Sequence, residues 1–176
     1  MKTVELHSRG GARLQARLFV PAMTARAAVL IAPAMGVEQD YYADFAAWLA
    51  VQGYSAMTFD YRGMGASRPE AMRHSLRGFD ADLFDWADDV DAAIEHLAGT
   101  APDAPLYLVG HSLGAQLPGM LKHRDRIAGL VSVAAGSGYW RDNAPPLKRM
   151  VLYFWHVRVP LATWACGYFP GGRLKK

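Results

Sequence analysis

The chain is poor in cysteine, in charge and in long uninterrupted apolar runs, and each shortage excludes a class of protein. Its 176 residues include one cysteine, Cys166, so no intrachain disulfide forms and no cysteine cage holds a metal. A disulfide-stapled scaffold is excluded, and a reducing compartment is expected. The opening Met1-Lys2-Thr3-Val4-Glu5-Leu6 lacks the apolar centre of a signal peptide, so a cytoplasmic location is expected. Charged residues make up 20% and apolar residues 52%, and the mean hydropathy is −0.00, which is neither disordered nor fibrous. Val151–Phe169 has roughly the length of a membrane span, but His156, Arg158 and Pro160 occupy its middle. A central arginine alone costs about 2.5–3.5 kcal/mol there, so no transmembrane segment is expected. Neither G-x-G-x-x-G nor G-K-[ST] occurs, which argues against nucleotide binding.

Charge of one sign is also unevenly spread. Between Lys122 and Lys176 there are ten Lys and Arg against two acids; before Lys122 there are nine against fourteen. The basic residues are scattered among apolar ones and form no run, so they read as a solvated surface and no nucleic-acid partner is expected.

What is present is an alternation of short apolar strands and amphipathic helices. Val4–His7 and Leu14–Val20 alternate about Arg9-Gly10-Gly11 and read as a hairpin at a sheet edge. Ala27–Ala32 is a continuous apolar run closed by Pro33, as in a strand buried on both faces of a parallel sheet. A helix follows over Asp40–Gln52, with Phe45, Trp48 and Leu49 at helical spacing and Gly53 at its stop. Tyr54–Tyr61 is the next strand. A loop to about Asp80 precedes an acidic amphipathic helix, Asp82–Leu97, whose stripe is Leu83, Trp86, Val90, Ile94 and Leu97. Leu106–Gly110 is a strand, Leu113–Lys122 a helix despite Pro118, and Ile127–Ala134 a last strand. Short connections between such elements require parallel pairing with right-handed crossovers. The expected fold is therefore α/β, a mostly parallel open sheet with an N-terminal antiparallel hairpin. Residues 1–137 form its core. Residues 138–176, rich in tryptophan and tyrosine and broken by Pro145, Pro146, Pro160 and Pro170, read as a cap-like segment or an ordinary core helix.

Three strings carry chemistry. Gly110-His111-Ser112-Leu113-Gly114 is G-x-S-x-G, placed between a strand and a helix. A chance match in a chain this long has a probability of about 6%, and the required context lowers it further. At so tight a turn the serine takes a strained backbone, Gly110 and Gly114 avoid collisions, and the hydroxyl rises above the sheet as a nucleophile. Acyl transfer also needs two backbone N–H donors for the developing oxyanion. Leu113 supplies one; Met35, in Pro33-Ala34-Met35-Gly36 after the buried strand, is placed for the other, although a plain turn fits that string equally. The third string, Asp60-Tyr61-Arg62-Gly63-Met64-Gly65-Ala66-Ser67, reads as a turn held by Asp60 and Arg62 on nearby backbone.

In this order and spacing the three strings resemble the α/β-hydrolase superfamily, where the second in chain order reads D-x-R-G-x-G-x-S and the last is the nucleophile elbow. Gly110-His111-Ser112-Leu113-Gly114-Ala115-Gln116, with Gly138-Tyr139-Trp140-Arg141 and Gly167-Tyr168-Phe169-Pro170-Gly171, is similar to a bacterial subgroup of α/β-hydrolases, serine-aminopeptidase-like. The likeness covers nearly the whole chain and departs at the oxyanion loop, where Pro33-Ala34 stands in place of His-Gly. It implies an esterase, lipase or amidase acting on a small ester or amide, with no cofactor and no metal. An acyltransferase, or an inactive relic serving as a binding module, remains the alternative.

A serine needs a base, and the base an orienting acid. After Ser112 the carboxylates are Asp125 and Asp142, and the histidines His123 and His156. His123 would lie about 16 Å down the same helix at 1.5 Å per residue. Asp142 and His156 have the right order but fall in the cap-like segment. In the family the acid and histidine follow the cap on further strands, so the sequence reads as a hydrolase lacking its C-terminal strands. Ile127–Ala134, apolar on both faces, would then present an open edge and self-associate.

Overall fold

The computed structural model describes residues 1–169. Six strands form one sheet in the order β1-β2-β4-β3-β5-β6: β1 Lys2–His7, β2 Arg13–Phe19, β3 Ala27–Ala32, β4 Tyr54–Phe59, β5 Leu106–His111 and β6 Ile127–Val133. The hairpin pairs Lys2 with Leu18 through His7 with Arg13, and β2 also runs antiparallel to β4. The other pairs, β3 with β4, β3 with β5 and β5 with β6, are parallel.

Every residue of β3 is buried, because each of its faces meets a helix. Ala28, Leu30 and Ala32 join the core built on α2 (Leu83–Thr100), with Val90, Ile94 and Leu97. Val29 and Ile31, of opposite parity, join Ala46 and Leu49 of α1 (Ala43–Val51). This alternation is the period of two that a strand imposes. The helix α2 opens on a capping box: Asp82 accepts from the amides of Phe84 and Asp85, at 2.8 and 3.1 Å, and its own amide donates to the Asp85 carboxylate.

Two elements differ from expectation. The helix expected from Asp40 begins as a 3-10 turn, Gln39–Tyr42, and α1 then presses the small Ala46 to the sheet while Phe45 and Trp48 stack outside. The helix expected over Leu113–Lys122 is α-helical only at α3, Leu113–Gln116, then 3-10 to Met120. Pro118 has no N–H for the Gly114 carbonyl, which ends the α pattern. The expected edge is found at β6, which pairs with β5 alone among the described residues, and Leu130, Val131 and Val133 are 46%, 53% and 44% exposed.

The chain divides into two compact units. One comprises Met1–Arg68 and Ala81–Ala135, and the other Pro69–Asp80 with the chain from Gly136 on. In the second unit α4 (Pro145–Tyr153) starts on two prolines, continues through a π turn at Phe154–Arg158 and runs into α5 (Val159–Cys166). Pro160 cannot donate to the His156 carbonyl, a sufficient cause for the irregular turn. The helix stops at Gly167, with φ 79°. No helix among the described residues is long and apolar enough to cross a membrane. Of the residues compared above, Pro170 and Gly171 lie outside the described ones.

Candidate active site

Parallel pairing puts the ends of neighbouring strands, and the loops that leave them, on one edge of the sheet. Ala32 of β3 stands opposite Gly110 of β5, so the Pro33–Gly36 loop and the Ser112 turn leave side by side. At Ser112 the chain reverses from β5 into α3 with φ 50° and ψ −108°. Ala134 is the other non-glycine residue with positive φ among the described ones. The Ser112 amide donates to the Val133 carbonyl of β6 at 2.9 Å, which braces the turn from the sheet edge.

The two glycines have steric reasons. A Cβ at Gly110 would sit 2.6 Å from the Cα and N of Ala115, and one at Gly114 would sit 2.7 Å from the Ala32 carbonyl carbon. Real side-chain carbons do not approach backbone so closely, so both positions need glycine for the start of α3 to lie against β5 and the end of β3. The Ser112 side chain makes no capping bond to that helix, is half-buried, and has no hydrogen-bond partner among the described residues of its unit. Leu113, first in α3, has no intrahelical acceptor for its amide.

After β3, Val37 N–H donates to the Ala34 carbonyl at 3.1 Å, closing a turn whose third residue, Gly36, has φ 72°. That is the position a type II turn reserves for glycine. None of the described hydrogen bonds uses the Met35 amide. Its neighbours are held: Ala34 N–H donates to the Tyr42 hydroxyl at 3.0 Å, and Gly36 N–H to the Met64 sulfur at 3.4 Å. The Tyr42 oxygen lies 2.8 Å from His111 Nδ1. Burial pushes the Tyr42 phenol above its usual range, against the opposing pull of the Ala34 amide.

The Asp60 string is a clamp on this loop. Asp60, buried, accepts from the Gln39 amide at 2.8 Å, the Gln39 side chain at 3.0 Å and the Ala66 amide at 2.9 Å. A Cβ on Gly65 would touch its carboxylate at 2.5 Å, so glycine is required there. Ser67 Oγ donates to the Asp60 carbonyl at 2.6 Å. Arg62 goes beyond expectation: besides the Arg9 carbonyl at 3.1 Å it reaches side chains, donating from Nε to Asp89 of α2 at 2.9 Å and from its terminal nitrogens to Asp89 at 2.7 Å, Asp85 of α2 at 2.6 Å and Ser8 at 2.9 Å. Sequence reasoning missed Tyr42 and Gln39. Asp85 and Asp89, four apart on the acidic helix, were the available signal for Arg62.

His123 is tied to α2. Its Nδ1 lies 3.4 Å from Asp91, and Asp91 also accepts the amides of Lys122 and His123, each at 2.9 Å. In the second unit Asp142 accepts from Ser137, and His156 lies in the π turn. No group of His, Cys, Asp and Glu among the described residues could hold a metal ion. A recess of about 430 Å³ opens among Val20, Arg26, Ser55, Ala101 and Asp103, at the amino ends of β3, β4 and β5 and so at the opposite edge from Ser112.

A family model described as serine aminopeptidase, S33, matches residues 23–166. The chain belongs to that family. Solved structures similar to this S33-type chain include a highly thermostable carboxyl esterase from Bacillus coagulans, 18% identical with a TM-score of 0.69, covering 85% of this chain and 50% of that one. A serine hydrolase without lid from Xanthomonas campestris is 20% identical, TM-score 0.62, covering 79% and 63%. A soluble variant of monoglyceride lipase from Saccharomyces cerevisiae is 23% identical, TM-score 0.62, covering 77% and 45%. These likenesses give the fold, that of α/β hydrolases, and the chain spans between 45% and 63% of the length of these three. Among curated proteins none is significantly similar to the chain.

Proposed function

We propose that Ser112 is the nucleophile of an ester or amide hydrolase, with the Met35 and Leu113 amides as its oxyanion donors. The observation that carries this reading is the Ser112 backbone at φ 50°, ψ −108°, just past the end of β5, which pairs with the strand that leads into the Met35 turn. Strain of that kind costs on the order of 1–3 kcal/mol and concentrates at functional sites. In the reaction the Ser112 hydroxyl oxygen attacks the substrate carbonyl and gives its proton to a base. The carbonyl oxygen becomes anionic against the two amides. The leaving alcohol or amine takes a proton, and water then releases the acyl group from Ser112. Water gives hydrolysis; an alcohol or amine in its place gives acyl transfer. Exposed Met35 and Tyr41, the latter stacked on His111 at 6.5 Å, favour an apolar acyl or aryl group.

Within the unit that holds Ser112 no histidine–carboxylate relay reaches its hydroxyl, so we place the base and its acid outside the residues of that unit. The open apolar strand β6 supports a further element beside it, and in its absence self-association through that strand. That no base is found within this unit also favours a second reading, a hydrolase-fold binding module without turnover.

Labelling with a fluorophosphonate separates the two. Attack by Ser112 Oγ on phosphorus displaces fluoride and leaves a phosphonylated serine that mass spectrometry locates. An elbow and oxyanion site lacking a triad member retain roughly 10³–10⁴-fold over water, so slow labelling at Ser112 is expected, accelerated by added imidazole and absent in Ser112→Ala. Equal labelling of Ser112→Ala, or none in the parent chain with imidazole, refutes the enzyme reading.

A further inference from the structure

The two oxyanion donors belong to separate loops, Met35 to the turn after β3 and Leu113 to the turn after β5. Their separation depends on what ties those loops together, and one buried side chain does so. Tyr42, 6% exposed, accepts the amide proton of Ala34, the residue before Met35, at 3.0 Å. The same oxygen lies 2.8 Å from Nδ1 of His111, the residue before Ser112. Its ring meets the imidazole edge-on with centroids 5.9 Å apart, while Tyr41 stacks on the imidazole with 23° between planes.

One end of this chain of hydrogen bonds has a fixed polarity. A backbone N–H only donates, so Ala34 fills one lone pair of the phenol oxygen. Burial keeps the phenol protonated, so both its O–H and its second lone pair remain for His111 Nδ1. With the phenol donating, Nδ1 accepts and the ring proton sits on Nε2; with the proton on Nδ1, the ring donates to the phenol oxygen instead, and either arrangement closes the bridge.

We propose that Tyr42 is a positioning residue for the oxyanion site: its hydroxyl bridges Ala34 and His111 and thereby fixes the Met35 turn against the Ser112 turn. The kinetic part of this inference rests on the proposed role of Ser112; the bridge itself does not. Geometry of this kind matters because a donor contributes only when it lies about 2.7–3.1 Å from the developing oxyanion.

The test uses the whole chain and Tyr42→Phe, which keeps the ring and removes the bridge. Nitrogen-15 NMR of wild-type protein should show the His111 Nδ1 shift displaced from that of a free imidazole by its hydrogen bond to the phenol; a shift indistinguishable from a free imidazole overturns the bridge. In Tyr42→Phe that displacement should be lost and the Ala34 amide should exchange with solvent at least about tenfold faster, as expected once its acceptor is gone. The fluorophosphonate rate at Ser112 should fall about tenfold, a fraction of the roughly 10²–10³ seen on removing an oxyanion donor outright. A variant that only melts earlier, with His111, Ala34 and the labelling rate unchanged well below its Tm, overturns the proposal and leaves Tyr42 as packing. If Ser112 proves unreactive in the parent chain, the proposed function falls on that result alone, while the bridge is still decided by the His111 and Ala34 signals.

Discussion

Replacing Ser112 by glycine should make the protein more stable than replacing it by alanine. Both substitutions remove the hydroxyl, which makes no capping bond and is half-buried, so its loss alone should change little. They differ in the Cβ. At φ 50°, ψ −108° the serine sits close to the first central position of a type II′ turn, about 60°, −120°, which is dominated by glycine. A residue with a Cβ is strained there by on the order of 1–3 kcal/mol; alanine keeps that strain and glycine releases it. Against the gain stands the greater freedom of glycine in the unfolded chain, about 0.4–1 kcal/mol. The expected difference is about 1 kcal/mol in favour of Ser112→Gly. With a urea slope of about 2 kcal/mol/M this is a midpoint shift of about 0.5 M. Urea titrations of the two variants at low micromolar concentration measure it, followed by tryptophan fluorescence. A Ser112→Gly midpoint equal to or below that of Ser112→Ala refutes the claim that the turn is strained, and removes the observation on which the nucleophile role rests.

Tyr61, 1% exposed with no partner for its hydroxyl among the described residues, should tolerate Tyr61→Phe with a gain of about 1–3 kcal/mol, because an unmade buried hydrogen bond is removed; a loss of stability in thermal melts would show an unseen partner. Burial, reinforced by Asp89, raises the Tyr61 phenol far above its usual range, so the folded chain stays protonated where the unfolded one ionises above about pH 10, and stability falls as pH rises past that point. The advantage of Tyr61→Phe should therefore widen between about pH 10 and 11. Arg62→Ala should cost about 3–5 kcal/mol, since it strands a charge at Asp89, whose side chain is 0% exposed; Asp89→Asn in the same chain should recover part of it, and no recovery in urea titrations would count against an electrostatic cause. Through the open edge of β6 the chain should associate with rising concentration in sedimentation velocity, less so in Val131→Lys, which places a charge on the strand; a concentration-independent monomer refutes this.

The strands were legible because they are the most apolar segments, and their pairing followed from the short crossovers between them. Ala27–Ala32 announces burial on both faces by composition alone, and the structure buries each of its residues. The turns were legible where glycine is sterically obligatory, as at Gly110 and Gly114. Helix interiors were read less well. Phe45 and Trp48 have the periodicity of a core stripe, yet Ala46 and Leu49 take the sheet-facing positions, because a small residue lets α1 approach more closely than an aromatic one. Pro118 was visible as an offence against a helix. What it does, converting α to 3-10 after one turn, depends on the fold around it.

The site was legible in a different proportion. Local strings encode what a backbone turn needs within five or six residues, so Ser112, Leu113 and Met35 could be singled out. The groups that hold those turns in place are remote in sequence: Asp60 grips Gln39 across 21 residues and Tyr42 meets His111 across 69. Tyrosine, glutamine and aspartate at such separations carry no spacing signal, since their meeting is a product of β3, β4 and β5 ending at one edge. Catalysis has the same division. An elbow and two amides are backbone features and can be complete in a short stretch, whereas proton transfer needs a histidine and a carboxylate delivered by other strands. A sequence can thus display a candidate nucleophile while leaving its base undetermined, and imidazole added to the labelling reaction measures that gap directly.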